Sequence, residues 1–379
     1  MKRIAYTPRL DWKRQVEAVG LIYHTLDDGS PYWDESVYYQ FTSKEIDTLE
    51  SATLELDKMC LAAVDHIIAQ NRFAELQVPP YFIDYVKRSW ENDAHTIYGR
   101  FDFLFDGNSP PKLLEFNADT PTSLMEASVI QWSWLEQTHP NDDQFNSIHE
   151  KLIDAWKLFA DETGLMAPVH FSCMQGQDED ELTIGYMIDV AQQAGLRTVP
   201  IPVEEIGWNQ NQKCFVDLKN QPIRCMFKLY PWEWLFTEEF GRNIPMAQMK
   251  WLEPAWKVLL SGKGLLPILW ELYPDHPYLL RASWQPIDDV VMVRKPARGR
   301  EGANVTILDD DFVVAQTGGT YDDGQWVYQE FQPPGRFDGN TAVIGSWLVN
   351  GNACGIGVRE DDGLVTQNTS RFVPHLFRG

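Results

Sequence analysis

Two short aromatic-rich runs, YGRFDFLF and PKLLEFN, lie on either side of the turn sequence GNSPP, and this pairing constrains the fold more than any other stretch. Apolar residues alternating with polar ones, bounded by Gly, Asn, Ser and Pro, predict an antiparallel hairpin. Residues two apart in a strand share a face, so Arg100 and Asp102 point together, as do Glu115, Asn117 and Asp119. The hairpin thus sets a guanidinium beside hard oxygen donors on adjacent strands. Asp102, Glu115 and Asn117 supply oxygen alone, the donor type of Mg²⁺, which needs few protein ligands because water and phosphate complete its octahedron. Two other uses of the same residues stay open: a solvated outer face, and a carboxylate pair that cleaves a glycoside, which 15 tryptophans keep in view.

A second feature runs against the charge of the chain. Lys and Arg number 32 against 55 Asp and Glu, a formal net charge of -23 that disfavours a nucleic-acid partner. Yet VRKPARGREGANV gathers Arg294, Lys295, Arg298 and Arg300 around Gly299 and Gly302. Glycines let the backbone approach phosphate oxygens while cations neutralise them, so this loop reads either as a phosphate grip or as a solvated turn. No GxxxxGK[ST], HExxH or GxSxG sequence is present, which removes the support for a P-loop, a zinc hydrolase or a serine nucleophile. Five scattered cysteines without a CxxC pair predict neither disulfides nor zinc and fit a reducing compartment. With no apolar run near the length that spans a bilayer, the chain reads as soluble, cytoplasmic and without a membrane partner.

A length of 379 residues exceeds one compact layer structure and predicts several lobes. Thr42 to Glu45 forms a capping box ahead of helically spaced Ile46, Leu49, Leu56, Met59, Val64 and Ile67. From Pro168 strand and helix alternate (VHFSCM, ELTIGYMIDVAQQAG, LRTVPIP), an α/β pattern. Beyond it MAQMKWLEPAWKVLL reads as helix, and VVMVRKP, FVVAQT, WVYQEF and TAVIGSWLV as strands of an α+β region. The expected division is an N-terminal lobe over 1–165 bearing the hairpin, an α/β lobe over 166–250 and a lobe over 251–379 bearing the basic loop.

Seven segments in order, YGRFDF, EFNADTPTS, FKLYPWEW, LEPAWKVLLSGKGLLPILW, VRKPARGREGANV, VYQEF and GIGVRE, carry a resemblance that runs nearly end to end. The chain resembles the synthetase part of the glutathionylspermidine synthase family. The resemblance implies a mixed α/β, circularly permuted ATP-grasp fold with interlocked lobes, related to eukaryotic glutathione synthetase. It implies an ATP- and Mg²⁺-dependent ligase that joins a glutathione-like peptide carboxylate to an amine such as a polyamine through an acyl phosphate; a nucleotide-binding or peptide-binding module without turnover is the alternative. Residue by residue, it makes Asp102, Glu115 and Asn117 the metal ligands and Arg100 and Arg359 the catalytic arginines. Lys263 and Lys295 would hold phosphates with Arg300 and Gly302 in the loop, and Gln329 and Glu330 would sit at the adenine hinge. Thr120, Thr122, Glu179 and Asp180 would face the substrates. Three departures are visible: there is no room for the amidase domain of bifunctional members, FKLYPWEW differs from the usual peptide-binding version, and Arg371 stands about where an acidic residue would greet a polyamine.

Overall fold

The structure is a computed structural model, and it describes every residue except Glu301, Asp322, Asp323 and Asn368. Its central sheet runs in the order Arg371–Val373, Asn352–Asp361, Asn340–Val349, Tyr98–Leu104, Lys112–Asn117, antiparallel throughout. The hairpin therefore forms as its turn signal predicts, but it is completed by strands from the far end of the chain. Register pairs Arg100 with Asn117 and Asp102 with Glu115. After Asp102 the partner skips Leu114, so Phe103 faces Leu113 across a bulge. Phe101, Phe103 and Phe116 turn into the core, with the Phe101 and Phe116 rings stacked 3.8 Å apart. Alternation then leaves Arg100, Asp102, Glu115 and Asn117 for the opposite face.

Helix Ser43–Ala69 covers the core side of this sheet. It starts where the capping box does: the Glu45 amide donates to Thr42 Oγ1, and the Thr42 amide donates to Glu45 Oε2 at 2.7 Å. Its buried face (Ile46, Leu49, Leu56, Met59, Ala63, Val64, Ile67) follows the spacing of one helical stripe. Thr53, also on that stripe, hydrogen-bonds Ser346 of the sheet through their hydroxyls at 2.7 Å.

A second sheet is parallel, in the order Lys250–Leu252, Cys225–Leu229, Val169–Cys173, Thr198–Pro200, with helix Asp178–Gln193 as one crossover. Here the sequence reading needs correcting. MAQMKWLEPAWKVLL is not one helix: Lys250–Leu252 is an edge strand, Ala255–Lys257 a 3-10 turn and Val258–Ser261 a single helical turn. Pro254 disfavours helical geometry at the residue before it, and parallel pairing buries Trp251 and Leu252 instead. A third, antiparallel sheet orders Ala282–Ser283, Trp326–Glu330, Met292–Pro296, Thr306–Asp309 and Phe312–Gln316. Among the described residues no helix is long and apolar enough to cross a membrane, and all five cysteines are buried and free.

Candidate active-site cleft

The polar face of the hairpin floors a cleft of about 240 Å³ whose other walls come from the third sheet, the basic loop and the segments after Leu229 and Arg359. The residues to which the family resemblance gives a role are brought together here with one exception: Arg100, Asp102, Glu115, Asn117, Thr120, Thr122, Asp180, Lys263, Lys295, Arg300, Gly302, Gln329, Glu330 and Arg359 all line it. The exception, Glu179, stands just behind the wall and accepts from Ser123 Oγ at 3.2 Å.

The oxygen donors converge. Asn117 Nδ2 donates to Asp102 Oδ2 and to Glu115 Oε1, each at 3.3 Å, so both carboxylates and the carboxamide meet around one point. A turn of the amide would present its oxygen there as well. Each carboxylate also has a cation. Arg100 donates to Asp102 through Nε at 2.7 Å and Nη2 at 3.1 Å, and Lys263 Nζ lies 2.8 Å from Glu115 Oε2. The donor set fits a hard divalent ion: it is all oxygen, partly desolvated and carries two negative charges. Among the described residues no three His, Cys, Asp or Glu side chains gather as a metal site. Two carboxylates and an amide suit an ion that keeps water and phosphate ligands.

Burial alone would raise the Glu115 pKa, but the charges of Lys263 and Lys295 hold its carboxyl well below the usual range. A glycoside-cleaving pair needs one carboxyl kept protonated, and Glu115 is driven the other way. Lys295 is buried, which pushes its pKa down to about 8; Glu115 opposes that shift and Lys263 adds to it. Lys295 Nζ donates to Gln329 Oε1 at 2.7 Å and to the carbonyl of Leu114, the bulged residue, at 3.3 Å. Gln329 in turn donates from Nε2 to the Leu113 carbonyl at 3.0 Å. Its amide thus braces the lysine.

Glycine is required at two places. A Cβ at Gly345, which pairs with Asp102, would meet Arg100 Cδ at 2.9 Å, so its absence lets Arg100 lie across the neighbouring strand. Gly302 has φ +68, and a side chain there would collide with the Thr366 carbonyl. The basic loop thereby closes onto the segment that follows Arg359. Within the loop the cations divide. Arg298 donates to the carbonyls of Leu76 and Gln77, and Arg294 lies 4.6 Å over the Trp326 ring, so these two leave the cleft to Lys295 and Arg300. Arg300 donates to Thr120 Oγ1 at 2.9 Å and to Glu233 Oε1 at 2.6 Å, pinning the loop to both neighbouring walls. Arg359 donates from Nη2 to the Gln367 carbonyl at 3.0 Å and stacks over Phe372, and its buried Nε has no partner among the described residues.

Several groups escaped the sequence reading. Asp119 does not join the oxygen cluster. It lies beyond the strand end at Asn117, where alternation no longer applies, and it is fully buried against Lys228 Nζ at 2.6 Å and the Trp232 amide at 2.9 Å. Glu233, in the quoted FKLYPWEW, had no assigned role. Arg371 does not line the cleft; it donates to Glu360 Oε1 and to Asn340 Oδ1. Glu126, 1% exposed, accepts from Tyr32 at 2.8 Å and Tyr23 at 3.2 Å, and no motif marks it.

Burial, reinforced by the charge of Glu179 and opposed by the tyrosine hydrogen bonds, pushes Glu126 up to about 7. A carboxyl whose folded pKa exceeds its unfolded one binds its proton more tightly in the folded chain. Its contribution therefore favours folding in acid and is lost as pH rises from about 4 to 7. Glu126→Gln keeps an acceptor for both tyrosines without the buried charge. It is expected to raise stability at pH 8 by on the order of 3 kcal/mol, with the gain vanishing by about pH 4. Denaturant unfolding at the two pH values checks this.

A family model described as glutathionylspermidine synthase preATP-grasp matches residues 3–378. The chain belongs to the glutathionylspermidine synthase family. A Haemophilus influenzae protein named "Putative acid--amine ligase" is 45% identical over 100% of both chains. The Escherichia coli bifunctional glutathionylspermidine synthetase/amidase is 28% identical over 89% of this chain and 58% of its own length. Trypanothione synthetase of Crithidia fasciculata is 28% identical over 80% of this chain and 50% of its own. The chain thus spans 58% and 50% of the length of those two relatives. A glutathione synthetase-like effector from Globodera pallida, solved in its apo form, superposes with a TM-score of 0.63 over 97% of this chain and 96% of its own at 10% identity, which shows a common fold and no more.

Proposed function

We propose that the protein is an ATP-dependent carboxylate–amine ligase of circularly permuted ATP-grasp type, with 1–165, 166–250 and 251–379 as its working lobes and the cytoplasm as its site of action. The observation that carries this reading is the convergence of Asp102, Glu115 and Asn117 with Lys263 and Lys295 at one end of a cleft that has Arg100 and Arg359 beside them. Oxygen donors on one wall and ammonium groups on another are what a magnesium-bound triphosphate requires.

In this reading Asp102, Glu115 and Asn117 hold Mg²⁺, which neutralises phosphate charge when bound. Arg100 and Lys263, paired to the carboxylates in this structure, would donate to phosphate oxygens. Lys295, braced by Gln329, grips the phosphates, and Glu330 with its backbone faces the base. The peptide carboxylate, positioned near Thr120 and Thr122, attacks the γ-phosphorus of ATP; the bond to the β-bridging oxygen breaks, leaving ADP and an acyl phosphate. The amine, drawn by Asp180 with Glu179 adding negative charge from behind the wall, then attacks the acyl carbon, loses a proton and expels phosphate to leave an amide. Arg359 stabilises the oxyanion of that second step, and the Arg300 loop keeps water from the acyl phosphate. A glutathione-like peptide and a polyamine are the proposed substrate classes, in keeping with the name of the Escherichia coli glutathionylspermidine synthetase/amidase.

Thermal unfolding tests the nucleotide half. MgATP is expected to raise the midpoint by mass action, and Asp102→Asn to remove most of that shift, measured from the variant's own unliganded midpoint, which should lie lower because buried Arg100 loses its charged partner. No shift in the parent protein would sink the reading. ADP release that requires both a peptide carboxylate and an amine separates a ligase from a binding module of the same fold.

A further inference from the structure

A second cavity, of about 320 Å³ against about 240 Å³ for the cleft, shares no residue with it. It opens where helix Ile83–Glu91 and the turn after it meet the Gly241–Met246 turn and the Lys250–Leu252 strand. Tyr85 gives it an aromatic wall, and the buried rings of Phe159 and Trp251 back it. Arg88 and Lys250 stand exposed among its lining residues, and neither forms an ion pair among the described residues. His95 is the third basic side chain, and its Nδ1 is met by Glu162 at 3.3 Å. No Asp or Glu lines the cavity, although acids outnumber Lys and Arg in the chain by 55 to 32. Leu252 and Pro254 in its wall flank Glu253, whose carboxylate accepts from the amides of Ile97 at 2.9 Å and Tyr98 at 3.2 Å. The cavity is therefore built against the root of the strand that carries Arg100.

We propose that this cavity binds a small aromatic anion, a flat body of one or two rings bearing a carboxylate, with the rings against Tyr85 and the charge between Arg88 and Lys250. The size agrees: the space is roughly twice the ~150 Å³ apolar cavity that takes up benzene and lies at the lower end of small-molecule pockets. The charge agrees as well. Two cations without carboxylate partners, over apolar walls, favour an anion and disfavour the amines that the acidic remainder of the surface attracts. The proposal stands independently of the ligase reading.

Calorimetric titration with 2-naphthoate tests it. One site is expected, weakened at least tenfold by Arg88→Glu combined with Lys250→Glu and abolished by Ala247→Trp, which fills the cavity. Both cations are exposed, so the double variant should keep the parent's thermal midpoint. Arg300→Glu, in the cleft, should leave 2-naphthoate binding unchanged, and 2-naphthylmethylamine should bind more weakly than 2-naphthoate. Undiminished binding to the double charge variant, loss of binding in Arg300→Glu instead, or equal binding of the amine would each overturn the assignment.

Discussion

Arg359→Ala is expected to slow carboxylate- and amine-dependent ADP release by at least about a hundredfold, on the order of 3 kcal/mol of transition-state stabilisation. The guanidinium lines the cleft with its Nε unspent, held in place through the Gln367 carbonyl and the Phe372 ring. A charge fixed in this way can meet a developing oxyanion without reorganising, which is why its loss should fall on turnover. MgATP should still raise the thermal midpoint of the variant, because the lysines and oxygen donors are untouched. The fall should appear mainly in kcat, with a smaller change in the KM for ATP. Near-normal turnover, or loss of the nucleotide shift together with activity, would assign Arg359 elsewhere.

Lys228→Met should lower stability by about 3–5 kcal/mol, because it strips one partner from a fully buried ion pair. Asp119 would keep only the Trp232 amide, and the ammonium that now lies 2.6 Å from one carboxylate oxygen and 4.7 Å from the Trp232 ring would be gone. Burial already raises the Asp119 pKa, with Lys228 opposing that rise. Removing the lysine lifts it further, so the buried carboxyl can escape its penalty only by taking up a proton. The loss should therefore be larger at pH 8 than at pH 5, and adding Asp119→Asn should recover part of it. Urea unfolding of the two variants at both pH values measures this, and a loss under about 1 kcal/mol at pH 8 would show that the pair contributes little. Against a total stability of about 5–15 kcal/mol the expected loss decides whether the fold survives at body temperature.

What could be read from the chain in advance was local. The hairpin was legible because alternation and a Gly-Asn-Ser-Pro-Pro turn lie within twenty residues of one another. The long helix was legible because Thr42 and Glu45 mark its start. The cleft residues were found because they sit in short ordered motifs, and the hairpin's polar side chains share one face by strand periodicity. The misread stretch, from Met246 onward, has an apolar content that suits a buried strand and a helix equally, and the pairing that decides between them is with Cys225–Leu229 rather than with neighbours in sequence. The bracing pairs were invisible for the same reason. Asp119 meets Lys228, Glu233 meets Arg300, and Glu126 meets Tyr32. Each joins segments far apart along the chain, where neither spacing nor composition records the contact. Arg298 shows the converse: a cation in a phosphate-like loop whose guanidinium is committed to the carbonyls of Leu76 and Gln77.

The strand carrying Arg100 and Asp102 lies between Lys112–Asn117, made directly after it, and Asn340–Val349, made much later. During synthesis the hairpin must therefore wait, one edge unpaired, until Asn340–Val349 has left the ribosome. Such long-range pairing slows folding, and it makes premature termination costly: a product cut short before Asn340 would lose the sheet that shapes the hairpin, and would offer its open edge to other chains.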